Sequence, residues 1–328
     1  MAGEQEHAKT VWIALAANAA IAVVKGLAGI LGGSSALLAE AAHSVADTSN
    51  QGLLQVSLKR SRRPPDEGHP FGYGKERFFW VLLAALFMFT AGGIFSILEG
   101  LYRILGSSGG GGGGFVWSYG ALGAAALLEG ASWVRAVRQT RRQAREAGMP
   151  FVRYVRESKE PAVKAVASED TAALAGVALA FLGVGLHQLT GNDVYDSASA
   201  IAIGVLLCVV GVLLANDTKG LLLGEAARPE LREQMRRAIL AHDEVADVVE
   251  LLTMYVGPDS LLVAARLDLR DGVSSEQIEE LADAVERDLR EAVPAVDQVF
   301  LDPTPGVGDR GFEPRTSALS ERRSNQLS

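Results

Sequence analysis

Residues 36–58 (ALLAEAAHSVADTSNQGLLQVSL) have the length of a membrane span, but they are too polar to be a passive one. The polar side chains recur at helical spacing and therefore share one face of a helix: Glu40, His43, Asp47, Asn50 and Gln51. A carboxylate near the middle of a bilayer costs about 2.5–3.5 kcal/mol on insertion scales. The stripe therefore predicts that this helix faces a partner or a water-filled cavity.

Within the stripe, His43 and Asp47 are four residues apart, so their side chains reach the same region beside the helix. An imidazole and a carboxylate at this spacing supply half of a tetrahedral metal site. Any such site needs further ligands from another segment. The single cysteine, Cys208, excludes an intrachain disulfide and a multi-cysteine zinc site.

Six segments are long and apolar enough to be predicted as membrane spans, in a chain of which 48% is hydrophobic. They are residues 10–32, 36–58, 78–105, 115–137, 162–187 and 194–216. Arginine and lysine cluster after the second and fourth segments, whereas the other three links have neither. The glycine run 109–114 lies in the link between the third and fourth segments. The positive-inside rule then predicts that both termini are cytoplasmic. The polar N-terminus shows no secretory signal.

The pattern changes near residue 224, and most of the acidic excess behind the net charge of −8 lies beyond it. An amphipathic helix, two strands joined by a Gly-Pro-Asp turn, a second helix and a short strand predict a small α+β (α-β-β-α-β) domain. We therefore expect a membrane α-helical protein with six transmembrane helices in residues 1–223. The α+β domain is expected in residues 224–303, and a disordered tail in residues 304–328.

The fifth span contains the acidic pair Glu169 and Asp170, which has two interpretations. Asp170 can face His43 and Asp47 as a further metal ligand. Alternatively, the pair is solvated at the end of a helix.

The motif HSVAD in the second span, followed by a basic loop with DEGHPFGYGKERFFW, closely resembles the cation diffusion facilitator family. Members of that family are homodimeric transporters that export Zn²⁺ or similar divalent cations, usually against protons. The resemblance covers residues 10–303, and EDTAALAG with TGNDVYDSASAIAIG is most similar to the branch containing zinc transporter nine.

The resemblance implies that His43 and Asp47 are metal ligands, as in the HxxxD motif of the zinc-transporting members. The fifth span usually supplies a second HxxxD, of which Asp170 matches the aspartate, while Val166 stands at the histidine position. Glu169 substitutes only if the helix unwinds locally or the side chain makes a long reach, because neighbouring residues point about 100° apart. A water molecule or Glu40 are the alternatives.

A second family site lies in the loop after the second span, where Asp66 and His69 match two ligand positions. The alternative is a structural turn, since proline and glycine residues fix the shape of this loop. The family's cytoplasmic domain further implies dimerisation.

Together these patterns predict a multi-pass integral membrane protein, in a bacterial plasma membrane, that exports divalent metal by proton antiport. The expected partners are metal ions, protons, membrane lipid and a second copy of the chain. Zn²⁺ is the first choice, with Mn²⁺, Fe²⁺ or Co²⁺ as alternatives; each is a transported substrate, and no prosthetic group is expected. The alternative function is a non-transporting metal sensor or partner subunit of the same fold. The motifs of enzymes are absent, and the basic residues beside the spans favour lipid contact over nucleic acid.

Overall fold

The computed structural model describes the backbone of residues 2–106, 115–157 and 161–305, and the side chains of residues 15–16, 18–106, 115–155 and 169–303. The glycine run 109–114, the side chain of Val166 and the predicted tail from residue 306 onward lie outside the described residues. The chain forms a helical unit up to Glu225 and an α+β unit that begins at Ala226.

A long helix occupies each of the six predicted spans, and a short helix precedes the fifth. The bounds are α1 (Ala2–Gly32), α2 (Ser35–Ser61), α3 (Glu76–Phe87), α4 (Phe95–Leu105), α5 (Phe115–Glu146), α6 (Phe151–Glu157), α7 (Pro161–Thr190) and α8 (Val194–Leu223). A π-helical segment, Met88–Ile94, joins α3 to α4, so these elements together make the third span.

Among the described residues, three helical segments are both long and apolar enough to cross a membrane: Glu76–Leu105, Glu169–Thr190 and Val194–Leu223. The apolar part of α1, Asn18–Gly32, is shorter. In α2 the polar side chains of the stripe lower the mean hydropathy. Several of them face the protein interior, since Glu40, His43 and Asn50 are buried.

Small side chains form much of the interior between α1, α2, α5, α7 and α8. The buried cluster includes Ala36, Ala39, Ala121, Ala125 and Ala180, which allow the helix backbones to approach closely.

The third span lies close to α8 at Gly204. A Cβ atom added at Gly204 would lie 2.7 Å from the carbonyl oxygen of Gly93 and 2.8 Å from the backbone nitrogen of Ile97.

An aspartate from α8 caps the start of α2. The Asp196 carboxylate accepts hydrogen bonds from the Ser34 hydroxyl at 2.6 Å and from the backbone N–H of Ser35 at 2.5 Å and Ala36 at 3.3 Å. The first N–H groups of a helix have no partner within the helix, and the positive end of the helix dipole favours an anion there. Asp196 therefore fixes the beginning of α2, the helix that carries the polar stripe.

The α+β unit follows the predicted order of elements: α9 (Pro229–Leu240), β1 (Val245–Gly257), β2 (Ser260–Leu269), α10 (Ser275–Ala292) and β3 (Val296–Pro305). The sheet order is β1-β2-β3, and β2 and β3 are parallel, with Ala264 opposite Phe300. Burial alternates along β2, so one sheet face forms a core with the apolar sides of the helices. Strand β3 runs two residues past the predicted domain edge at 303.

Candidate functional site

A cavity of about 50 Å³ lies between α1, α2, α5 and α7. Its lining residues are mostly polar although the surrounding helices are apolar: Asn18, Ile21, His43, Ser44, Asp47, Gln51, Leu128, Glu129, Ser132, Asp170 and Ala173. The volume suffices for an ion with a small number of water molecules.

The imidazole of His43 lines this cavity and makes no hydrogen bond to another group. The residue is only 2% exposed, and neither ring nitrogen has a hydrogen-bond partner. Buried polar atoms without a partner are rare in folded proteins, since each loses its hydration. A ring nitrogen that lines a polar cavity in this state is available to a metal ion or to a water molecule.

Asp47 lies one helical turn after His43 and lines the same cavity. Two amide groups orient its carboxylate: the Asn18 side chain donates to Oδ2 at 3.3 Å, and the Gln51 side chain donates to the same oxygen at 3.0 Å. Because both bonds go to Oδ2, they leave Oδ1 for another partner. Hydrogen bonds of this kind fix the direction in which a carboxylate ligand points.

Asp170 completes the set of residues that the sequence placed together. It lines the cavity from α7, and its Oδ2 atom is buried without a hydrogen-bond partner. The cavity therefore brings together one imidazole and two carboxylates from α2 and α7.

Glu169, the conditional fourth ligand, is placed elsewhere. It does not line the cavity, and its Oε2 accepts a hydrogen bond from the Asn50 side chain. This follows from helix geometry, since adjacent residues point about 100° apart and the helix here is regular. Glu40, the other alternative, bonds to Lys25.

A buried charge cluster beside the cavity was missed by the sequence analysis. Lys25 Nζ on α1 lies 3.0 Å from Glu40 Oε2, 2.9 Å from Ser44 Oγ and 2.6 Å from Glu129 Oε1. Lys25 and Glu40 are fully buried. The available signal was that each of these charges lies in an otherwise apolar segment, where a charge requires a partner.

Within the described part of the chain, no three side chains of the His, Cys, Asp and Glu types stand close enough together to hold a metal ion. The cavity is thus lined by groups that can bind a metal ion, but they are not close enough together to coordinate one ion in this conformation. Binding of an ion there requires side-chain or helix movements.

The loop after α2 brings Asp66 and His69 together, but in a self-contained turn. The two residues form a β-bridge, and the Asp66 carboxylate accepts from the Tyr73 hydroxyl at 2.6 Å and from the His69 backbone N–H at 2.8 Å. The hydrogen bond from Tyr73 is the main reason why the pKa of Asp66 is lowered from its usual value. These contacts favour the structural interpretation of the loop, and metal binding there stays a prediction.

Comparison with known proteins decides the family. Residues 11–223 match the model of the cation efflux transmembrane domain, and residues 227–304 match that of the cytoplasmic domain of cation efflux proteins. The chain belongs to the cation efflux family. This confirms the resemblance to the cation diffusion facilitators and, with it, the predicted fold class of six transmembrane helices followed by a small cytoplasmic α+β domain.

The similar proteins differ in the share of their length that aligns with this chain. The human protein named proton-coupled zinc antiporter SLC30A9, mitochondrial, is 32% identical over 260 residues, 79% of this chain but 45% of that protein. Metal tolerance protein C4 of Arabidopsis thaliana is 34% identical over 236 residues, 72% of this chain and 51% of that protein. The chain therefore spans about half the length of these relatives. Magnetosome protein MamB of Paramagnetospirillum magneticum is 24% identical over 315 residues, 92% of this chain and 96% of that protein.

The matches to SLC30A9 and metal tolerance proteins confirm the branch predicted from EDTAALAG and the segment after it. The predicted domain edges and the roles of the individual site residues stay predictions.

Proposed function

We propose that this chain is a divalent-cation transporter of the membrane that exchanges a metal ion, Zn²⁺ first, for protons. The observation that carries this proposal is His43, a buried imidazole with two unpartnered nitrogens that shares a polar cavity with Asp47 and Asp170. The printed names of the SLC30A9 relatives, proton-coupled zinc antiporters, support the same substrates.

The mechanism follows from the ligand types. A metal ion binds the neutral imidazole of His43 and the ionised carboxylates of Asp47 and Asp170, and protons bind the same groups. Metal and protons therefore compete for one site. If the cavity opens alternately to the two sides of the membrane, metal loaded on one side leaves on the other in exchange for protons.

The choice of metal depends on the balance between nitrogen and oxygen ligands. One imidazole with several carboxylates is a harder ligand set than two imidazoles with two carboxylates, and it accepts Mn²⁺, Fe²⁺ or Co²⁺ beside Zn²⁺. Zn²⁺ stays the first choice because His43 is retained.

We further propose a homodimer in a bacterial plasma membrane, with both termini cytoplasmic and export as the direction. The match to the family's cytoplasmic domain supports dimerisation. So do large apolar side chains that the α+β unit leaves half-exposed, Leu252 at 58% and Val249 at 53%. The charge of the links between spans supports the orientation.

Metal counterflow in proteoliposomes of the purified full chain tests transport. Vesicles preloaded with unlabelled Zn²⁺ should accumulate external labelled zinc, and the variants His43→Ala and Asp47→Ala should each lose at least about 90% of this rate while remaining folded. Glu146→Ala, an exposed position near the end of α5, serves as the control and should transport normally. Normal counterflow in Asp47→Ala would remove the site from the cavity, and an absence of counterflow in the wild type would favour a non-transporting sensor or partner subunit.

A further inference from the structure

The two carboxylate oxygens of Glu129 have different surroundings. Its Oε1 atom lies 2.6 Å from Lys25 Nζ, whereas its Oε2 atom is buried and has no hydrogen-bond partner. The residue also lines the cavity that holds His43, Asp47 and Asp170. One side of Glu129 is therefore satisfied by an ammonium group, and the other is available beside the candidate metal ligands.

The candidate metal site needs one more ligand, and a carboxylate oxygen without a hydrogen-bond partner can supply it. Three ligands from α2 and α7 leave a tetrahedral shell one short. Glu169 bonds to Asn50 instead of lining the cavity, and Glu40 bonds to Lys25. Among the described residues that line the cavity, Glu129 is the remaining carboxylate besides Asp47 and Asp170.

We propose that Glu129 is a further ligand of the transported cation, and that Lys25 is a resident cation which the metal ion displaces from Glu129. This inference rests on the proposed function. It places α5 in the transport site alongside α2 and α7, and it makes α1 responsible for holding Glu129 when no metal is bound.

The contacts of Lys25 make this exchange feasible. When Glu129 moves to the metal ion, Lys25 keeps Glu40 at 3.0 Å and Ser44 at 2.9 Å, so its charge is not left alone in the membrane. A divalent ion attracts a carboxylate more strongly than a single ammonium group does at a similar distance. Among the described residues no three candidate ligands converge, so metal binding requires movement of the other ligands as well as of Glu129.

The exchange also links metal loading to helix packing. Lys25 joins α1 to α2 through Glu40 and Ser44, and α1 to α5 through Glu129. Releasing Glu129 breaks the connection to α5 and keeps the connection to α2. Metal binding would therefore loosen α1 from α5 while it draws α5 toward α2 and α7.

The test uses Zn²⁺ uptake by the full chain in proteoliposomes, with variants that separate a ligand from a partner of Lys25. Lys25→Met/Glu129→Gln removes both charges of this pair and leaves Glu40 as the carboxylate without an ammonium partner. Lys25→Met/Glu40→Gln removes the competitor and leaves Glu129 intact. Glu99→Gln is the matched control, because Glu99 is also a span residue paired with a cation, Arg103 at 2.9 Å, and its side chain has the same 18% exposure as that of Glu129.

We expect Glu99→Gln to keep the wild-type half-saturating Zn²⁺ concentration. Lys25→Met/Glu129→Gln should raise this concentration at least about tenfold, the range found for lost metal-site contacts, and Lys25→Met/Glu40→Gln should lower it. If Lys25→Met/Glu129→Gln transports with the wild-type half-saturation, Glu129 only neutralises Lys25 and the ligand role is overturned. If the wild type itself takes up no Zn²⁺, the proposed function fails and this inference fails with it.

A second variant decides the question if a double variant does not fold. Glu129→Cys in a Cys208→Ser background places a single thiol at position 129. Cd²⁺ should then produce a thiolate–metal charge-transfer band that is absent from Cys208→Ser alone. A folded Glu129→Cys protein that binds Cd²⁺ without this band would show that residue 129 does not reach the ion.

Discussion

The carboxylate of Glu129 on α5 lies 2.6 Å from the ammonium group of Lys25 on α1, across 104 residues of sequence. The Lys25 side chain is fully buried, and 18% of the Glu129 side chain is exposed. A pair of this kind ties two membrane helices together at the depth where the cavity lies. It also means that either charge becomes costly when its partner is removed.

Replacement of Lys25 by methionine should therefore destabilise the protein. Glu40 and Glu129 would each lose their ammonium partner, and breaking a buried ion pair from one side costs about 3–5 kcal/mol. Thermal unfolding in detergent should show a clearly lower midpoint for Lys25→Met than for the wild type. The exposed Lys59→Met should stay within about 0.5 kcal/mol of it. A Lys25→Met protein as stable as the control would mean that the cluster adds nothing to stability.

Gly204→Ala should weaken the packing of α8 on the third span. The added methyl group would meet the backbone of Gly93 and Ile97 at 2.7–2.8 Å, and backbone atoms cannot move aside as a flexible side chain can. Overpacking of this kind costs about 1–3 kcal/mol.

The control is Gly120→Ala on α5, where an added Cβ meets nothing within 4 Å. Alanine is the better helix former by about 1 kcal/mol, so this variant should be neutral or stabilising. The same unfolding assay compares the two. Equal midpoints for both variants would contradict the close contact between Gly93 and Gly204.

Tyr73→Phe should raise the pKa of Asp66 toward its usual value, because the hydroxyl hydrogen bond stabilises the charged carboxylate. The folded-state pKa lies below the unfolded one. The stability that this bond gives the loop is therefore present above the unfolded pKa and is lost as the pH falls through the folded one.

Carbon-13 NMR of labelled aspartate carboxyls measures this pKa directly. Tyr154→Phe on α6 is the control and should leave the Asp66 titration unchanged. An Asp66 pKa that does not move in Tyr73→Phe would show that the turn is held by its backbone hydrogen bonds alone.

Val166→His adds a candidate nitrogen ligand to the fifth span. A second imidazole in the fifth span would restore the family's usual motif and shift the ligand set toward nitrogen, which favours Zn²⁺ over Mn²⁺. We expect the preference for Zn²⁺ over Mn²⁺ in vesicle uptake to rise by about tenfold, or about 1.4 kcal/mol. Val152→His, at an exposed position on α6, should not change it. An unchanged preference in Val166→His would argue that position 166 does not reach the site.

Much of this architecture could be read from local sequence. Span length, helical spacing and loop charge located the six helices, and the four-residue spacing put His43 and Asp47 on one face. The order of elements after residue 224 followed from the switch between helical and alternating patterns. Each of these signals lies within a short window of residues.

The charge cluster could not be read in the same way. Lys25 and Glu129 are 104 residues apart, and no periodicity tells which of the charges in the spans face each other. The choice between Glu169 and Glu129 likewise depends on how α5 and α7 are rotated against α2, which is set by packing. The π-helical segment in the third span also escaped prediction, because its sequence has the composition of an ordinary apolar helix.

In the proposed mechanism, a metal ion and protons compete for the cavity of His43, Asp47 and Asp170. The most direct measurement is the internal pH of proteoliposomes with a trapped pH dye, recorded while a Zn²⁺ gradient drives uptake by the full chain. We predict a proton flux opposite to the Zn²⁺ flux, present in the wild type and lost in Asp47→Ala. Zn²⁺ uptake without any proton flux at any pH, or an unchanged proton flux in Asp47→Ala, would contradict it.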